Sequence, residues 1–272
     1  MKEIIETFGA LKSPFDARDY KLVASATETF PETFELPKVT VKNQKSTPSC
    51  VAHAASSVVE YHHKRQHNEK KSFSTEFIYG LRDFCYYIGD GMITRDALNT
   101  LIKYGDVPTA DLRGNNDYRK AIKNVNNNLD ELKEKAYPHR ISSYFRIYTE
   151  NAAKKALMQH GYILAAMNWH KGATLEDGVY TYASTDEVSG GHAIVIYGWN
   201  EKGWLCQNSW GAAWGDKGRF IIPFDFDLKE MWGITDNITE DIVKPKQGKF
   251  WDALYKLWNK LALFFYKVEF YD

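Results

Sequence analysis

Three residues far apart in the chain have the types that attack on an amide needs: Cys50 in VKNQKSTPSCVAHA (Val41 to Ala54), His192 in GGHAIVIYGW (Gly190 to Trp199) and Asn208 in QNSWGAAWG (Gln207 to Gly215). A thiolate is a strong nucleophile, an imidazole can take up and return its proton, and a carboxamide can fix the imidazole's orientation. Cysteine, histidine and asparagine in that order suggest a catalytic set. Cys50 also follows a turn at Pro48 and stands where a helix should open, behind the N-cap candidate Ser49. Unpaired N–H groups and the positive end of the helix dipole favour a thiolate there. Cys85 and Cys206 lie in apolar runs without motif partners and read as small buried hydrophobes.

The elements that must position these residues fall into two sets. Val51, Ala54, Ala55, Val58 and Val59 recur at helical spacing, so a buried helix should run from Cys50 to about Gln66, with the polar HHKRQHNEKK as its solvated exit. His62, His63 and His67 in that exit read as a charged surface turn and not as metal ligands, since no carboxylate or cysteine shares their spacing. Further helices are expected from Ser74 or Thr75 to Phe84, from Thr94 to Tyr104 with a left-handed stop at Gly105, and from Asn151 to His160 with a stop at Gly161. Residues 106 to 148 are weakly patterned, and NVNNNLDELKEKAY fits one surface helix. The runs YILAAMNW, GVYTYA, HAIVIYGW, GWLCQNSW and GRFIIP then read as short strands separated by Gly, Asn and Asp. Helices first and strands later give an α+β architecture, with Cys50 in the helical half and His192 and Asn208 in the strand half. The reacting centre should therefore lie in a cleft between two lobes. Trp199, Trp204 and Trp214 are read as core or lobe-interface aromatics.

Whole-chain properties set looser bounds. The 272 residues are 44% hydrophobic and carry 35 basic and 35 acidic side chains, so bulk charge gives no reason to expect a nucleic-acid partner. No run approaches the length of a membrane span, and the acidic N-terminal stretch does not read as a secretory signal. Three cysteines without paired spacing suggest neither a disulfide framework nor a zinc site, and a reducing, cytoplasmic setting is the expectation. No cofactor is implied.

The sequence resembles the papain-like cysteine peptidases. VKNQKSTPSCVAHA is similar to that family's nucleophile motif, GGHAIVIYGW to its histidine motif and WLCQNSWGAAWGDKGRF to its asparagine motif. LEDGVYTY, FSTEFIYGLRDF and GDGMITRDAL resemble intervening segments, and the likeness runs from about Leu36 to Trp232. It implies a two-lobe fold with a helical N-terminal lobe (about 45–110) and an antiparallel β-barrel-like lobe (about 141–235) within a domain of residues 36–240. Residues 1–35 would be an irregular extension, shorter than an inhibitory prosegment, and 241–248 a linker.

The resemblance further implies hydrolysis of polypeptide substrates through a Cys50 thioester. His192 would be base and then acid, Asn208 would orient it, and Gln44 with the Cys50 N–H would form the oxyanion hole. Trp210 would cover the Asn–His contact, and Gly91 would meet the backbone of an extended substrate beside an apolar pocket of Met92, Ile93 and Ala193. Val51 stands where most members carry tryptophan, and Thr47 where secreted members carry a disulfide-bonded cysteine. The alternatives are attack on another amide by the same residues, as an amidase or acyltransferase, and a catalytically impaired binding domain. Residues 249–272 lie outside the resemblance and read as an amphipathic helix, with Trp251, Leu254, Trp258, Leu261, Ala262 and Phe265 on one face. That face should dock on the chain itself, on a partner protein or at a membrane surface.

Overall fold

The computed structural model describes residues 8–82, 90–113, 118–235 and 242–243. Its elements, in chain order, are β1 (Ala10–Leu11), β2 (Lys21–Leu22), β3 (Phe34–Glu35), α1 (Cys50–His67), α2 (Thr75–Gly80), β4 (Met92–Ile93), α3 (Thr94–Lys103), α4 (Tyr118–Asn127), α5 (Leu129–Ala136), β5 (Ser143–Ile147), α6 (Glu150–Gln159), β6 (Ile163–His170), β7 (Thr174–Glu176), β8 (Val179–Thr181), β9 (Val188–Asn200), β10 (Gly203–Gln207), β11 (Arg219–Ile222), β12 (Leu228–Thr235) and β13 (Ile242–Val243). The readings of Cys85 and of the helix over 249–272 fall outside the described residues.

Helix α1 is the centre of the helical half. Its small and β-branched side chains, from Val51 through Ala55 to Val59, are buried nearly all round, so the helix is a core element and not a surface one. It stops at Asn68, which adopts the left-handed conformation and returns its N–H to the Lys64 carbonyl. His63 is buried against the rings of Phe73, His67 and His139, so the helix exit read as a solvated turn is partly packed. Helix α3 ends against Gly105 at φ +87°, and α6 against Gly161 at φ +106°, where left-handed stops were expected. The single helix expected over NVNNNLDELKEKAY is instead the end of α4 and all of α5, broken at Asn128. Val125, Leu132 and Ala136 join Phe77 and Val107 in a small core of their own, a packing role hidden by the asparagine-rich composition. Helix α2 stops at Gly80, short of the expected Phe84.

The strand half is one sheet in the order β13-β2-β5-β12-β6-β9-β10-β11-β8-β7, with β3 added on β9. Among the described residues this path is open and does not close into a full barrel, and helices and sheet together make the expected α+β fold. Its centre, β12-β6-β9, is antiparallel and apolar on both faces, because α1 and α6 cover it. Trp199 and Trp232 are among its fully buried side chains. Two stretches expected to lie outside the domain contribute strands: β2 pairs with β5, and β13, inside the expected linker, pairs with β2.

Candidate active site

Cys50 is the first residue of α1 and is wholly buried. Burial pushes its thiol up, against the backbone N–H groups of Ala193, Gly9, Val51 and Cys50 itself, which lie against the sulfur and favour the thiolate. The N–H groups of Val51 and Cys50 at the helix start thus favour the thiolate, but burial outweighs them and raises the thiol.

His192 lies in the middle of the sheet on β9, opposite Met167 of β6. Asn208 follows the last residue of β10, and its backbone N–H donates to the Gly218 carbonyl, 2.9 Å. Asn208 Oδ1 accepts the Ser209 N–H at 2.7 Å, which identifies that atom as the carboxamide oxygen. The same oxygen is 2.8 Å from His192 Nε2, so Nε2 must be the donor. Nδ1 is then the unprotonated nitrogen, and it is buried with no hydrogen-bond partner. Burial lowers the imidazole to about 4, with the Asn208 bond pulling the other way. Trp210 lies 4.9 Å from the imidazole and Trp169 5.4 Å, centroid to centroid, shielding the His–Asn bond from water.

Gln44 sits in the loop ahead of α1 and is held at both ends of its amide. Ser209 Oγ donates to Oε1 at 2.5 Å, and Nε2 donates to the Thr47 carbonyl at 2.8 Å. This is the side chain expected to serve an oxyanion.

The cleft is occupied by the chain's own N-terminal segment. The Phe8 ring meets His192 edge-on at 5.8 Å and lies 6.2 Å from both Trp169 and Trp210. Gly9 presents its N–H to the Cys50 sulfur and accepts the Met92 N–H at 2.6 Å, after which Ala10 and Leu11 pair in parallel with Met92 and Ile93. Only glycine fits at Gly9, since an added Cβ would stand 2.0 Å from the Pro48 oxygen, and at Gly191, where it would stand 2.0 Å from the Ala10 oxygen. Gly91 is approached by the Gly9 oxygen and the Leu11 side chain, the close backbone passage its sequence position suggested. Residues 8 to 11 thus lie between Met92–Ile93 on one wall and Gly191–Ala193 on the other. The extension read from the sequence as irregular chain thus fills the site.

A family model for papain family cysteine proteases matches residues 31–239. The chain belongs to the papain family. The viral cathepsin of Adoxophyes honmai nucleopolyhedrovirus is 26% identical over 194 residues, which is 67% of this chain and 52% of the relative. A cathepsin B-like cysteine proteinase of Schistosoma japonicum is 37% identical over 76 residues, 26% of this chain and 22% of the relative. The chain therefore spans about half or less of the length of these curated relatives. Among solved structures, xylellain, a cysteine protease from Xylella fastidiosa, superposes with a TM-score of 0.74 at 19% identity, covering 88% of this chain and 99% of that one. Procathepsin L 3 of Tenebrio molitor larval midgut superposes at 0.60 and 16% identity, covering 80% and 76%. These likenesses establish the papain fold.

Within that papain-family frame the sequence motifs bring Gln44, Cys50, His192, Asn208 and Trp210 to one place, and Gly91, Met92, Ile93 and Ala193 to the walls beside it. Three contributors were missed. Trp169 ends an apolar strand run and carried no signal beyond its size. Ser209 stands inside the asparagine motif, where its hydroxyl could have been assigned to a neighbouring amide. Phe8 to Leu11 offered only a glycine between apolar residues.

Proposed function

We propose that the chain is a cysteine peptidase acting on polypeptides through Cys50, with its cleft closed at rest by residues 8 to 11. The observation that supports this most is the His192–Asn208 bond, because it fixes the tautomer that leaves Nδ1 free to accept a proton beside a nucleophile-bearing helix. With the cleft open to substrate, His192 Nδ1 takes the Cys50 proton and the sulfur attacks the carbonyl carbon. The carbonyl electron pair moves to oxygen, which the Gln44 Nε2–H and the Cys50 N–H receive. Collapse breaks the C–N bond, His192 returns the proton to the departing amine, and a thioester on Cys50 remains. Water, deprotonated by His192, then releases the acid.

This chemistry explains why the bound segment is not simply a substrate. The leaving amine belongs to the C-terminal side of the scissile bond, so that side must lie toward His192. In the segment it is Phe8, on the N-terminal side, that lies against His192, while the chain runs on toward Met92 and Ile93. The segment therefore crosses the nucleophile in the reverse direction. A reducing, cytoplasmic setting fits a site in which Thr47 makes hydrogen bonds and Cys50 and Cys206 are buried free thiols. Among the described residues no helix is long and apolar enough to cross a membrane. Brief iodoacetamide treatment with mass-spectrometric mapping, alongside peptide turnover by wild type and Cys50→Ala, tests the assignment. Cys50 should be labelled ahead of Cys206, and Cys50→Ala should be inactive; turnover surviving in that variant would overturn it.

A further inference from the structure

The loop that carries Gln44 is tied down by a row of side chains that the reaction itself does not use. Thr47 N and Thr47 Oγ1 both donate to the Gln44 carbonyl, at 3.1 and 2.6 Å, and the Thr47 carbonyl takes the Gln44 Nε2 proton. Because the Thr47 hydroxyl proton is spent on Gln44, its oxygen must accept from Ser49 Oγ, 2.7 Å away. Ser49 precedes α1, yet its side chain makes no cap hydrogen bond to the helix. Its hydroxyl is turned to the loop. His53 stands one turn further on, with Nδ1 2.9 Å from the Ser49 carbonyl and 3.3 Å from Ser49 Oγ. The His53, Ser49 and Thr47 side-chain donors all point toward Gln44, starting from the His53 Nδ1 proton, and Gln44 Nε2 donates back to the Thr47 carbonyl. All four side chains are buried.

We propose that His53 is a positioning residue for the oxyanion hole, acting through Ser49 and Thr47 on the Gln44 carboxamide. This rests on the peptidase reading above. A donor serves an oxyanion only if it is already aimed when the charge forms, and a donor on a loop depends on its surroundings for that aim. Gln44 lies in neither a helix nor a named strand. On one side Ser209 fixes it; on the other Thr47 grips it, and Ser49 and His53 hold Thr47 in turn. Burial keeps the His53 imidazole neutral down to about 4, which suits a single Nδ1–H donor whose orientation is set by Ser49.

The test separates aim from nucleophilicity, because alkylation of Cys50 needs the thiolate but not the oxyanion hole. His53→Phe in the full chain should lower kcat on a fluorogenic peptide about tenfold, leave KM and the iodoacetamide rate within about twofold, and have no further effect in a Gln44→Ala background. His53→Asn, whose amide N–H can stand in for Nδ1–H, should restore most of kcat. Thr47→Val, which removes the hydroxyl with little change of shape, should reproduce the His53→Phe pattern and serves if that variant folds poorly. An unchanged kcat, a loss that adds fully to Gln44→Ala, or an alkylation rate that falls in step with kcat would overturn the proposal. If wild type turns over no peptide, the peptidase reading fails by itself. The Gln44 side-chain amide resonance then decides the positioning role: it should shift in His53→Phe and return in His53→Asn, and an unmoved resonance refutes it.

Discussion

At the scale of single residues, the site divides into groups that react and groups that aim. Cys50→Ala and His192→Ala should each nearly abolish peptide turnover, since they remove the proposed nucleophile and its proposed base. Asn208→Ala and Gln44→Ala should leave activity reduced by roughly 10- to 1,000-fold, the range for an orienting residue or one oxyanion donor. Steady-state kinetics on one peptide amide checks the ranking, and His192→Ala cleaving like wild type would refute the assigned roles. The apolar wall of Met92, Ile93 and Ala193, against which Leu11 now lies, should select a bulky apolar side chain two residues before the scissile bond. Burial of such a group contributes about 1.5–3 kcal/mol. A peptide library that preferred charged residues there would reject this pocket.

At the scale of elements, the residues were easier to read than what fills the space between them. The motifs around Cys50, His192 and Asn208 were legible because each couples a reactive type to local signals: a turn and helical period for α1, an unbroken apolar run for β9, and a Gly-rich turn after β10. The segment from Phe8 to Leu22 was not legible, because a strand of two residues has no periodicity and its pairing partners are 82 and 125 residues away, Met92 for Ala10 and Arg146 for Lys21. Its anchor is equally non-local. The Ser13 N–H donates to the Glu230 carboxylate of β12, which also receives the Thr94 hydroxyl and Arg146 Nη1, the last at 2.8 Å. Arg95 clasps Asp19 at 2.7 Å and the Pro14 carbonyl at 2.5 Å. Gly9→Ala tests the segment while leaving every proposed catalytic side chain in place, because the added methyl collides with the Pro48 carbonyl. It should speed alkylation of Cys50 by roughly tenfold or more, equivalent to about 1.4 kcal/mol or more of lost closure. Unchanged alkylation would show that residues 8 to 11 do not guard the thiol.

At the scale of the whole molecule, burial of titratable groups sets the response to acid. His53, His139 and His192 are lowered to about 4 and His62 to about 3, all chiefly by burial, from 6.5 in the unfolded chain. Between those values the unfolded state binds more protons, so the stability they confer is complete above about pH 6.5 and is lost as pH falls toward about 4. Asp106, pushed by burial to about 8, and Asp19, also raised, work in the opposite direction, losing their contribution as pH rises, but the histidines outnumber them. The melting temperature at pH 5 should lie clearly below that at pH 7, and an equal or higher value would contradict this balance. The reversed segment also bears on kinetics. Ser13 is latched only four positions from Gly9, so the segment competes for the cleft at an effective concentration on the order of millimolar, a figure set by the tether and independent of dilution. An internal competitor of that kind leaves kcat alone and multiplies KM by one plus the odds that the cleft is shut. Gly9→Ala should accordingly lower KM at constant kcat, and the KM of the intact chain would measure vacancy of the cleft more than its grip on peptide.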